Sequence, residues 1–248
     1  QSIAYWPDTQ GHRQRALSRI LQGQDPILKN PENYGIEPVS ARGLYALEAM
    51  LFDPAFNAYG PNDPGCTLIR AASRDLAAQA AVLRDAWKPG FAEVLKTAGS
   101  AENTRFLDAT EARQALFTAL LVSLQFDINE RLGLPMGSFD KPRPLRAEGR
   151  LSNRAQRNLE LSLQGQQALA FALIPAKGDA VAMREDFERV LWMVQKLYDP
   201  DFAGVDDPGK RFKLEALQTA LVLLRTAVNE ELSAALGVTM GLNALDGD

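Results

Sequence analysis

One cysteine and one histidine in 248 residues remove most reactive chemistry at the outset. With Cys66 alone, the chain can form no intrachain disulfide and no thiolate zinc cluster, and a lone cysteine fits a reducing or an oxidising compartment equally. Cys66 reads as a loop residue. His12 stands in "Q-G-H-R-Q-R", an exposed basic helix start, and no H-E-x-x-H or H-x-x-E occurs anywhere. That stock assembles neither a Ser-His nor a Cys-His nucleophile pair. The phosphate-cradling G-x-x-x-x-G-K-[ST] loop is also missing. Apolar runs stop far short of the ~20 residues that span a bilayer. Positive charge is not in excess: 27 Lys and Arg against 31 Asp and Glu leave a net charge of -4. Nucleic acid and anionic membrane surfaces are therefore not expected partners. No signal peptide is visible, and Gln1 is not a natural start, which is compatible with removal of one.

What is present is a core. Hydrophobic residues make up 46% and charged residues 23%, ordinary for a globular chain of one large or two modest domains. Apolar residues recur at three- and four-residue spacing over Ser40–Phe52, Thr67–Lys96, Asp108–Leu132, Asn153–Ala172, Ala180–Leu197 and Arg211–Leu236. No comparable segment alternates as a half-buried strand would. The fold class is all-α. Asp108 before "A-T-E-A-R" predicts an N-cap. Glycine after "R-L" at Gly133 and after "A-L" at Gly237 predicts two helix stops. Trp6, Trp87 and Trp192 read as core or interface fillers.

Phrases recur. "S-A-R-G-L-Y-A-L-E" from Ser40 and "S-N-R-A-Q-R-N-L-E" from Ser152 share S-x-R-x-x-x-x-L-E. "T-A-L-L", "N-E" and "L-G-L-P-M-G" from Thr118 are echoed by "T-A-L-V", "N-E" and "L-G-V-T-M-G" from Thr219, with four more residues before the last element. "L-F-D-P-A-F" and "L-Y-D-P-D-F" each lead to "D-P-G", since aspartate before proline ends a helix and starts a turn. These D-P boxes do not fall at matching distances within the two units. Chance likeness among Leu- and Ala-rich helices is the alternative to duplication. Taken in order, the echoes predict two related helical bundles packed together, 1–148 and 149–248, divided within Ser138–Gly149.

On a helix, Leu44, Leu47 and Leu51 share one stripe expected to face the core, while Tyr45 and Glu48 lie three apart on a neighbouring stripe. Ser40 and Ser152 read as N-caps. Arg154 matches Arg42, Arg157 matches Tyr45, and Glu160 matches Glu48. Spacing alone reads these as two capped helices, each carrying a Glu that neutralises a nearby Arg; Arg157 and Glu160 can pair with one another.

"A-R-G-L-Y-A-L-E-A-M-L-F-D-P", "S-N-R-A-Q-R-N-L-E-L" and the closing "L-G-V-T-M-G-L-N-A-L-D-G-D" resemble the imelysin family, also described as M75 peptidase-like, over nearly the whole chain from Tyr5. The resemblance implies two helical-bundle halves with a pocket between them, in exported bacterial proteins that are periplasmic or lipid-anchored at the outer membrane and linked to iron uptake. Any lipid anchor would lie outside the chain from Gln1. Members usually carry a further helical stretch ahead of the segment matching Tyr5, which implies a truncated chain or an incomplete first bundle. The family hallmark G-x-H-x-x-E, proposed to bind metal, falls on Gly43, Tyr45 and Glu48, with tyrosine in place of histidine. Neutral imidazole ligates zinc or ferrous iron near pH 7; a phenol must first lose a proton with pKa near ~10. A tyrosinate serves ferric iron where the metal drives that deprotonation, so Tyr45 and Glu48 are the candidate metal ligands, for iron or another divalent metal. A metalloprotease needs about three protein ligands, a bound water and a base.

The expected function is a non-enzymatic binding protein that takes a ligand, metal or iron-uptake partner at the junction of the halves. The alternative is a metallopeptidase of the M75 type with a degenerate motif. Candidate ligand-binding residues are Ser40, Arg42, Tyr45, Ser152, Arg154, Arg157 and Glu160, with Asn243 and Asp246 of the terminal polar run as a wall. The two arginines favour an anionic group through forked hydrogen bonds.

Overall fold

In a computed structural model, residues 2–22, 25–176 and 178–239 are described; the regular structure among them is helical, with one isolated bridge between Ser138 and Lys141. The helices are α1 (His12–Leu21), α2 (Gly43–Phe52), α3 (Pro64–Ala86), α4 (Ala92–Lys96), α5 (Ala109–Phe126), α6 (Leu134–Met136), α7 (Ala155–Leu173), α8 (Val181–Gln195) and α9 (Pro208–Leu236). Every long periodic segment of the sequence is a helix or a run of helices. Cys66 sits in the first turn of α3, not in a loop, because Pro64 already occupies the start of that helix.

Local chemistry sets the helix ends. Asp108 accepts from Thr110 N at 2.6 Å and Glu111 N at 3.0 Å, while Glu111 reaches back to Leu107 N at 2.6 Å. Asp207 caps α9 in the same way, with Pro208 behind it, and Gly237 closes the helix at φ 67°. Gly133 is not a stop. It stays helical inside a wide π turn, Asp127–Gly133, and the chain continues through α6 to Gly137, where φ reaches 53°. A second π turn, Trp87–Phe91, interrupts the expected Thr67–Lys96 helix around Pro89, which lacks the amide that a regular helix needs.

Contacts divide the chain into two compact units, 1–90 and 91–248. In the first, α2 lies on α3, and the 3-10 turn Pro31–Ile36 also meets α3. The buried face of α2 is Tyr45, Ala46, Ala49 and Met50; Leu44 and Leu51, expected to face the core, are 50% and 44% exposed. Buried alanines on α2 (Ala46, Ala49) and α3 (Ala71, Ala72) allow close approach, so the leucine stripe turns outward. Tyr34 is fully buried and donates its hydroxyl to Ala41 O; burial pushes its pKa up.

In the second unit α5, α7, α8 and α9 form a four-helix bundle around one core that includes Phe117, Leu121, Leu159, Leu163, Phe187, Val190, Leu221 and Leu224. The stretch Ser138–Gly149, where the sequence reading divides 1–148 from 149–248, lies inside this unit. Arg143 N donates to Pro135 O at 2.8 Å, and Glu148 is buried against Arg131. Among the described residues no helix is long and apolar enough to cross a membrane.

Candidate functional site

The second S-x-R phrase builds a pocket within the 91–248 unit. Arg154, not Ser152, is the N-cap residue of α7; the Ser152 hydroxyl instead donates to Gly149 O at 3.2 Å. Gly149 turns with φ 65° and receives Arg154 N at 2.8 Å, so the turn closes on backbone and the expected serine cap is not needed. One turn on, Gln156 clips the Asp199–Pro200 loop to α7. Its Nε2 donates to Val194 O at 2.8 Å, its Oε1 accepts from Asp199 N at 2.9 Å, and its own amide donates to Pro200 O at 3.2 Å. Asp199 holds the loop from the other side by accepting from Gly204 N at 3.0 Å. A side chain at Gly204 would place Cβ 2.5 Å from that carboxylate. Burial raises the Asp199 pKa against that hydrogen bond.

Arg157 and Glu160 pair at 2.6 Å, as their spacing suggests. Glu160 also accepts from Gln195 at 3.0 Å, and the Arg157 and Gln195 hydrogen bonds hold its carboxyl below the ordinary range. The result is a pocket of about 450 Å³ lined by Asn153, Gln156, Arg157, Glu160, Tyr198 and Pro200. Asn153 and Tyr198 adopt φ 56° and 53°, the left-handed region that costs a side-chain-bearing residue roughly 1–2 kcal/mol. With Gln156 committed to backbone, the polar groups able to meet a ligand are the Arg157–Glu160 pair, the Asn153 amide and the Tyr198 phenol.

The first phrase lies in the 1–90 unit and is built differently. Ser40 is buried in a 3-10 turn, Val39–Ala41, and does not cap α2; Arg42 is the N-cap residue. The Arg42 guanidinium forks onto Asp75 of α3, Nε to Oδ2 at 2.9 Å and Nη2 to Oδ1 at 2.7 Å, and this pairing raises its pKa. Gly43 sits at φ 75°, and a Cβ there would fall 2.2 Å from Ile3 O, so the motif glycine has a backbone reason. Tyr45 is 8% exposed. Among the described residues no group of three or more His, Cys, Asp or Glu side chains could hold a metal ion. His12 is exposed and faces Gln10 Oε1 at 3.1 Å and Arg15 Nη2 at 3.0 Å. One carboxylate beside a buried phenol is a poor donor set for a divalent ion.

Sequence reasoning missed a buried network on the Asp127–Gly133 π turn. Asp127 is fully buried and accepts from Arg131 Nη1 at 2.5 Å, Gln166 Nε2 at 2.8 Å and Ser162 Oγ at 3.3 Å. Arg131 also donates to Glu148 at 2.5 Å and lies over the Phe126 ring. Burial raises the Asp127 pKa against the pull of Arg131. The i, i+4 spacing of Asp127 and Arg131 was legible, but their burial was not, because the segment reads as an ordinary exposed helix end. Asn243 and Asp246 lie outside the described residues.

The sequence model of the family described as Imelysin, peptidase M75, matches residues 1–228. No curated protein and no solved structure matches significantly. The chain belongs to the imelysin family.

Proposed function

We propose that this imelysin-family chain is a non-enzymatic binding protein, exported to the bacterial envelope and acting in iron uptake. Its ligand sits against the start of α7, between Arg157, Glu160, Asn153 and Tyr198. The two S-x-R…L-E helix starts descend from one ancestral bundle; the second became the ligand site, and the first became a structural joint.

The observation that carries this reading is the contrast between the two starts. At the first, the arginine fork is spent on Asp75, and the position three before Glu48 is a buried tyrosine, not a histidine. At the second, the matching turn borders a pocket of about 450 Å³ with half-exposed Arg157 in its wall. Pockets of this size with a few convergent polar groups suit small ligands. Exported location and the iron-uptake role rest on family membership.

The test is growth of an iron-limited strain that lacks the gene, complemented by variants. Arg157→Ala with Tyr198→Ala is expected to abolish rescue, while Tyr45→Phe with Glu48→Gln retains it. Equal rescue by the first pair would remove the pocket from the function.

A further inference from the structure

We propose that the groove between α8 and α9 is a second ligand site, for a small organic carboxylate with a flat apolar body. It lies in the 91–248 unit and is independent of the α7 pocket. Trp192 on α8 and Phe212 on α9 form its walls, and they are 61% and 70% exposed, so of the two sequence readings of Trp192, core or interface filler, the core one does not hold. Met193, Leu197 and Ala216 line it between them. A solvent-open concavity walled by two large aromatics that face each other from neighbouring helices marks a recognition surface.

Charge decides the occupant. The remaining lining residues are Lys196 and Lys213, both exposed, and neither forms an ion pair among the described residues. Acidic neighbours on the same helices are engaged elsewhere: Glu215 pairs with Arg211 at 2.7 Å, and Asp186 pairs with Arg189. Glu188, one turn before Trp192, is not in the lining. Two ammonium groups on flexible stems beside an apolar trough complement a molecule with an apolar body and an anionic head. The cavity, about 300 Å³, is at the small end of ligand sites. A helical peptide would need anchors repeated over several turns, and this groove spans little more than one turn of each helix.

The experiment is calorimetric titration of the full chain with three probes that share one ring system: naphthoate, naphthamide and naphthylmethylammonium. Naphthoate is expected to bind about tenfold more tightly than the amide, the scale of two surface ion pairs, and the ammonium more weakly still. Lys196→Glu with Lys213→Glu should invert that order, and Trp192→Ala with Phe212→Ala should abolish binding, with unchanged circular dichroism since all four residues are exposed. Arg157→Ala with Tyr198→Ala should leave naphthoate binding intact. Equal affinity for all three probes, no binding of naphthoate, or loss of binding in the Arg157/Tyr198 variant would each overturn the proposal. Sedimentation of the same proteins adds one more outcome: a dimer dissolved by Trp192→Ala with Phe212→Ala would assign the groove to a second copy and overturn it.

Discussion

Arg131→Met would strip the guanidinium from between two buried carboxylates, Asp127 at 0% and Glu148 at 5% exposure. Methionine keeps much of the apolar length of the side chain, so the loss is mainly electrostatic, the guanidinium contact with the Phe126 ring included. Removing one partner of a buried ion pair costs about 3–5 kcal/mol, because the charge left behind is unpaired. Arg157→Met, which breaks an exposed i, i+3 pair, should cost roughly 0–1 kcal/mol. Urea unfolding followed by circular dichroism separates the two: at an m-value of about 2 kcal/mol per molar, Arg131→Met lowers the midpoint by roughly 1.5–2.5 M. The pH dependence gives a second check. The folded-state pKa of Asp127 is raised, so its burial as a charged group costs stability at neutral pH, and that cost fades as pH falls through the folded value. Without Arg131 the pKa rises further, and the deficit of the variant should shrink as pH is lowered from about 8 to about 4. A deficit under about 1 kcal/mol, or one that does not change with pH, would refute the reasoning.

Three further outcomes follow from the same physics. Gly43→Ala should destabilise the chain by more than the roughly 1–2 kcal/mol of a left-handed alanine, because its Cβ also meets Ile3 O; the urea midpoint measures it. Asp207→Ala removes the acceptor for Gly209 N and Lys210 N and should cost about 1 kcal/mol, whereas Asp207→Asn should cost less. Titration with ferric iron should give no phenolate charge-transfer band; a band that Tyr45→Phe removes would restore Tyr45 and Glu48 as metal ligands.

The long helices were legible because α7, α8 and α9 each keep an apolar period, and because Asp108 and Gly237 carry local end signals that no tertiary contact overrides. The face of α2 was not legible. Its sequence offers leucine and alanine stripes at equal spacing, and the alanines of α3 decide which turns inward. Gly133 misled for a related reason: a glycine ends a helix where its backbone takes a positive φ, and here that happens four residues later at Gly137. At the candidate site, Arg157 and Glu160 were found from the repeated phrase. Tyr198 was not, because its place depends on Gln156 bridging α7 to a loop some forty residues away, and Asn153 was not, because its place is set by the local turn from Gly149 to Arg154. The lysine-rimmed aromatic groove was not legible, because reading Trp192 as a core or interface filler does not say which side chains of α9 stand opposite it.

Under the proposed function, this imelysin-family chain binds a ligand and cuts no peptide bond. The most direct measurement is hydrolysis of an unstructured protein substrate by the purified chain, with zinc or ferric iron added, then with chelator. The expected result is the background rate in every condition. A rate above background that chelator removes and Glu48→Gln abolishes would contradict it.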